Sequence, residues 1–122
     1  MSYFLLTNNP VVKEYVEKHS DYYIEYTGET IQSVISRCEE LFMTGEYALA
    51  ADPMGGRKAR PFPYLTVILD NNAKASLRDW SRIADFSDLN SKRMHLFETY
   101  GEDLMSDYRI LDCSLTKSAL NI

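Results

Sequence analysis

The stretch richest in groups able to hold a ligand is Asp52-Pro53-Met54-Gly55-Gly56-Arg57-Lys58-Ala59-Arg60-Pro61-Phe62-Pro63-Tyr64. Adjacent glycines allow positive φ and let the backbone come close to a ligand, which points to Gly55 and Gly56. Arg57, Lys58 and Arg60 place cations beside those glycines, an arrangement suited to a carboxylate or a phosphate. Gly-Lys-Ser/Thr is missing, so this is not a Walker loop. Gly-x-Gly-x-x-Gly is also missing, so it is not a dinucleotide fingerprint. The same composition fits a solvated surface loop.

Thr7-Asn8-Asn9-Pro10 is the second candidate. Short hydrogen-bonding side chains here meet the start of a helix, whose free amides attract anions. The competing reading is a local helix cap, with Asn9 at the N-cap and Pro10 at the first helical position.

The remaining reactive side chains form no motif. His19 and His95 have no ligand-spaced partner, so no metal site is expected and both read as helix-surface residues. Cys38 falls on an apolar helical stripe and reads as a core thiol. Cys113 is expected at the end of a strand, partly exposed. Glu39-Glu40 and the group Glu102, Asp103 and Asp107 read as solvated faces, and no pair of carboxylates is singled out for acid–base work.

The elements that must position these loops follow from hydrophobic period. Tyr3–Leu6 is a short continuous apolar run, as in a strand covered on both faces. A short helix follows, to about Lys18, with Val12, Tyr15, Val16 and His19 on one face. Asp21–Tyr26 alternates and reads as an edge strand. Ile31, Val34, Ile35, Cys38, Leu41 and Phe42 trace the clearest amphipathic helix, capped by Thr27 or Thr30 and ended by Gly45. Tyr47–Ala51 and Tyr64–Leu69 read as strands, the latter strongly buried. Leu77, Trp80, Ile83 and Ala84 make a helical stripe that kinks or restarts at Ser87 or Asp88. Leu89, Leu96, Phe97 and Tyr100 continue it until Gly101. Tyr108–Cys113 reads as a last strand and Ser114–Ile122 as a short helix.

This order, β-α-β-α-β-loop-β-α-α-β, predicts one α/β domain over residues 1–122. The expected architecture is a three-layer α/β/α sandwich with about five strands in a mostly parallel sheet. The third and fourth strands lack a helix between them, so they can form an antiparallel hairpin and make the sheet mixed. In such sheets ligands bind beyond the carboxyl ends of the strands, where both candidate loops should emerge.

A chain of 122 residues can bury a core without disulfide or metal. With 18 acids against 13 bases the net charge is −5, which speaks against binding a nucleic-acid backbone. Two cysteines without a close pair read as reduced and intracellular. The N-terminal apolar run is cut at Thr7, has no basic flank and reads as neither signal peptide nor membrane span. A cytoplasmic protein is expected.

Leu5-Leu6-Thr7-Asn8-Asn9-Pro10-Val11-Val12 resembles the opening of the GrdX proteins. These are small proteins encoded alongside glycine, sarcosine and betaine reductases. Similar too are the helix ending at Gly45, then Asp52-Pro53-Met54-Gly55-Gly56, Pro63-Tyr64-Leu65-Thr66-Val67-Ile68-Leu69, and Asp112-Cys113-Ser114-Leu115-Thr116-Lys117-Ser118-Ala119. Asp52 stands where the family pattern has histidine. The resemblance implies a cytoplasmic accessory or regulatory protein of reductive amino-acid metabolism, with a reductase-system protein as partner. It implies no catalytic residues and no cofactor.

Three functions are therefore expected in order. The first is a noncatalytic accessory protein binding a small anionic metabolite or a partner at loops 7–10 and 52–64, through Thr7, Asn8, Asn9, Gly55, Gly56, Arg57, Arg60 and Tyr64. The second is a small enzyme acting on a carboxylate or phosphate compound, with Asp52 as general base. The third is an oligomerising module, such as a homodimer, built on Tyr22, Tyr23 and Tyr26.

Overall fold

The computed structural model describes residues 3–53 and 62–122, apart from the side chain of Met94. Its elements are β1 (Tyr3–Thr7), α1 (Pro10–His19), β2 (Tyr23–Tyr26), α2 (Ile31–Met43), β3 (Ala48–Leu49), β4 (Thr66–Asp70), α3 (Leu77–Phe97) and α4 (Glu102–Leu120). The strands form one sheet in the order β2-β1-β4-β3.

β1 lies inside the sheet, which is why its sequence is an unbroken apolar run rather than an alternating one. It pairs in parallel with β2, and α1 supplies the crossover that a parallel pair requires. It pairs antiparallel with β4, which in turn pairs antiparallel with β3. The sheet is therefore mixed. The expected hairpin-like pairing of the third and fourth strands is present, but the expectation of a mostly parallel sheet is corrected. Among the described residues only the β1–β2 pairing is parallel.

Successive strand side chains point to opposite faces. Leu5 and Leu6, both fully buried, thus anchor two separate cores. Leu6 packs with Val34, Ile35, Cys38 and Phe42 of α2, Val67 and Leu69 of β4, and Ile83 and Phe86 of α3. Leu5 packs with Val12 and Val16 of α1, Ile68 of β4, and Cys113 and Leu120 of α4.

The caps follow local chemistry. Asn9 accepts the Val11 amide at 3.0 Å and Pro10 opens α1. Thr30, not Thr27, caps α2 by accepting the Ser33 amide at 3.2 Å. All six residues of the α2 stripe are buried. Gly45 follows the helix at φ 79°, a left-handed conformation that glycine adopts without a Cβ penalty. Ser76 and Asp79 form a reciprocal capping box at the start of α3.

Three expectations fail in the second half. α3 runs unbroken through Ser87 and Asp88 to Phe97. Its buried line is Ile83, Phe86 and Asn90, so Leu77 lies off that line at 89% exposure, and Ala84 is exposed as well. Most consequential, Tyr108–Cys113 is not a fifth strand but the middle of α4, which also absorbs the expected short helix over 114–122. The sheet has four strands among the described residues. Glu102 and Asp103 in the first turn favour a helix start. Arg109, Asp112, Cys113, Thr116 and Leu120 then share one face at spacings of three and four, while Ile110, at 61% exposure, turns outward. A buried strand would have drawn Ile110 inward. Short apolar runs are ambiguous between the two states, and here the helical face found the better partner in α1.

Candidate functional site

Antiparallel pairing of β1 with β4 sets Thr7 beside Thr66 at one rim of the sheet. The Ala50 amide donates to the Ile68 carbonyl at 2.9 Å, so the chain leaving β3 runs toward the same rim. Thr7–Asn9, Asp52–Pro53 and Phe62–Tyr64 therefore converge there. Gly55, Gly56, Arg57 and Arg60, the residues expected to touch an anion, lie outside the described residues.

The described members of the two loops are joined by hydrogen bonds. Asn8, 1% exposed, accepts the Leu65 amide at 2.8 Å and donates to the Pro63 carbonyl at 2.9 Å. One carboxamide thus replaces a strand's donor and acceptor and fixes the entry into β4. The Thr27 amide donates to the Thr7 carbonyl at 2.9 Å, tying the end of β2 to the same place.

Beside this clamp lies a polar cluster that sequence reading did not assemble. Asn9, fully buried, donates from Nδ2 to the Arg109 carbonyl at 2.9 Å and to Asp112 Oδ2 at 3.0 Å. Thr66 Oγ1 donates to the same Asp112 oxygen at 2.8 Å and sits 2.8 Å from Thr7 Oγ1. Thr7 Oγ1 accepts the Asn9 amide at 3.0 Å. Because Thr66 spends its proton on Asp112, Thr7 must donate to Thr66. The proton order runs Thr7 to Thr66 to Asp112.

Burial pushes the Asp112 carboxyl above the usual carboxylate range, against the hydrogen bonds from Asn9 and Thr66, which favour its charged form. A cavity of about 30 Å³ adjoins it, lined by Asp52, Pro53, Leu65, Thr66, Asp112 and Thr116 among others. That is room for about one or two water molecules, not for a metabolite.

Asp52, the candidate base, stands exposed at the edge of this cavity, 3.6 Å from the Arg78 guanidinium. Tyr64 is half-buried. Its hydroxyl accepts from Arg109 Nη1 at 2.9 Å, and the guanidinium also lies 5.8 Å from its ring centroid. Arg109 is completed by an ion pair with Glu102. The polar atoms of Thr7, Asn8, Asn9 and Tyr64 are thus engaged inside the protein.

Cys38 is fully buried, and desolvation, then the nearby Glu39 and Asp79 charges, push its thiol up to about 12. Cys113 is not at a strand end but buried on α4, its thiol raised mainly by burial. His19 and His95 are exposed on helices. Among the described residues no group of three histidine, cysteine or carboxylate side chains is placed to hold a metal. Nor is any helix there long and apolar enough to cross a membrane.

Asp112, Thr66 and Arg109 were missed for one reason. Reading 108–113 as a strand put Arg109 and Asp112 on opposite faces, whereas helical spacing puts them together. The available signal was the spacing of Arg109, Asp112, Cys113 and Thr116, together with the Asp112–Ala119 segment's likeness to the family pattern.

No curated protein and no solved structure shows significant similarity to the chain. The description "GrdX-like protein" matches residues 4–121, nearly its whole length, with both rim loops and the Asp112 helix inside the match. The chain belongs to the GrdX-like protein family.

Proposed function

We propose that this chain is a noncatalytic accessory protein of the glycine, sarcosine and betaine reductase systems, binding a small anionic metabolite or a reductase-system protein at the rim formed by loops 7–10 and 52–64. Family membership supports the association. The observation that carries the site is the Asn8 clamp, which holds Pro63 and Leu65 against the end of β1. It divides the labour between the loops. Thr7, Asn8, Asn9 and Tyr64 position, since their polar atoms are already paired. Gly55, Gly56, Arg57 and Arg60 make the ligand contacts. An Arg57→Ala/Arg60→Ala variant should lose at least tenfold in affinity for inorganic phosphate and acetate measured by calorimetry. Unchanged affinity removes the anion site.

The enzymatic alternative, with Asp52 as general base, has less support. Asp52 is exposed and held near Arg78, and the cavity it borders is of water size, too small for a metabolite. A homodimer through the sheet edge draws support from the exposure of Tyr23 (60%) and Tyr26 (38%) on β2. Sedimentation showing monomer alone at high concentration would end that idea.

A further inference from the structure

The two edges of the sheet are β2 and β3, and the chain treats them differently. At β3 the Ala50 amide turns toward β4, so alternation points the Leu49 amide outward, where Asp79 Oδ2 accepts it at 3.4 Å. A side chain of the α3 capping box thus covers this edge. β2 has no such cover. The Thr27 amide donates to the Thr7 carbonyl at 2.9 Å, and the register sets Tyr26 beside Thr7. The backbone groups of Tyr23, Glu25 and Thr27 therefore face β1, while those of Tyr22, Ile24 and Tyr26 face outward. Among the described residues no partner meets the outward groups of Ile24 and Tyr26. Proteins blunt open edges with lysine, proline, bulges or charges. Tyr23–Tyr26 has no lysine and no proline, and its one charge, Glu25, is paired with Arg37 of α2 at 2.9 Å.

The open edge is also self-complementary. A two-fold axis pairs a strand antiparallel with its own copy, and outward-facing residues must meet to exchange hydrogen bonds. An axis at Ile24 sets Ile24 against itself, Tyr22 against Tyr26 and Tyr23 against Glu25. Aromatic pairs across strands stabilise, and like charges directly opposite destabilise. Tyr26 of the second copy then extends the Tyr3–Tyr22 pair, whose ring centroids are 5.3 Å apart. An axis at Glu25 would set that carboxylate against itself, and an axis at Tyr23 would set Glu25 against Asp21. Of these registers, the one centred on Ile24 alone joins the tyrosines and keeps the acids apart.

We propose that two copies of the chain pair antiparallel along β2 about a two-fold axis at Ile24, so that the sheet runs on from one copy into the other. The pairing rests on the homodimer reading above and gives it a register. The anion-binding rim takes no part in it.

The test is sedimentation and amide hydrogen exchange of the full chain at high and low concentration. A dimer is expected, with the Ile24 and Tyr26 amides protected where it forms and exchanging freely on dilution. The Glu25 amide, bonded to β1, should stay protected at both concentrations. In a dimer of differently labelled copies, an intermolecular NOE should join the α-protons of Tyr23 and Glu25, the close non-hydrogen-bonded pair of this register. Tyr26→Lys adds the edge lysine that β2 lacks, and Tyr26→Pro deletes an outward amide but none that bonds β1. Each should weaken dimerisation at least tenfold while the Glu25 amide stays protected. Monomer alone removes the homodimer reading and this pairing with it. A dimer whose Ile24 and Tyr26 amides exchange freely leaves a homodimer standing and overturns the pairing through β2. An NOE from Glu25 to itself, or undiminished dimerisation in either variant, overturns it as well.

Discussion

Thr66 Oγ1 lies 2.8 Å from Asp112 Oδ2, joining the first residue of β4 to the middle of α4 across 46 positions of chain. That contact ties a strand end, a helix and the preceding Asn9 cap into one polar cluster, on a carboxyl group that burial disfavours in its charged form.

The pH dependence follows from the direction of that shift. A carboxyl whose folded-state pKa is raised binds its proton more tightly when folded. Its contribution to stability is present below the unfolded pKa and is lost as pH rises through the folded one. Asp112→Asn keeps an acceptor for Asn9 and Thr66 without the buried charge. It should raise stability by on the order of 1 kcal/mol at about pH 8, with less gain at about pH 4. Urea denaturation at both pH values reads this directly. A variant less stable than the parent at high pH would mean that the charge is favourably paired.

Thr66→Val deletes the hydroxyl between Thr7 and Asp112 at nearly constant volume. A loss of about 1–3 kcal/mol is expected, the cost of leaving buried partners unsatisfied. Combined with Asp112→Ala, which removes the acceptor, in a double-mutant cycle, the two changes should depart from additivity by at least about 0.5 kcal/mol, because they share one hydrogen bond. Additive effects would dissolve the cluster into independent contacts.

Asn8→Ala leaves the Leu65 amide and Pro63 carbonyl without their partner. It should cost about 2 kcal/mol or more. The Leu65 amide should also exchange with solvent much faster than the amides of central β4. Retained protection at Leu65 would show that the clamp is dispensable.

Ile110 discriminates the helix from the strand that its neighbourhood suggests. On an exposed helical face Ile110→Ala should be neutral or stabilising by a few tenths of a kcal/mol. Ile110→Pro should cost about 3 kcal/mol or more, by removing a helical hydrogen bond and clashing with the preceding turn. Were Ile110 a buried strand residue, the alanine variant would instead lose about 2–5 kcal/mol. Thermal melts of both variants decide it.

Cys38 and Cys113 should resist thiol reagents in the native protein at neutral pH, Cys38 most of all with its pKa pushed up to about 12. Both should react fully in denaturant. Rapid native labelling of Cys38 would contradict its place between α2 and β4.

The sequence by itself determined the first half of this protein. The Asn9-Pro10 start, the six-residue stripe of α2 and the apolar runs of β1 and β4 are local signals, carried by hydrophobic period and capping chemistry. The short motifs spread along the chain were also sufficient to indicate its family. Tertiary packing decided the rest. Tyr108–Cys113 satisfies strand and helix patterns about equally over six residues, and only the α1 surface, which accepts Cys113, Thr116 and Leu120 together, selects the helix. Thr7, Asn8 and Asn9 looked from sequence like a ligand loop. Their partners, at Thr66, Leu65 and Asp112, lie 57 to 103 residues away, and hydrogen bonds over such distances leave no local periodicity to read.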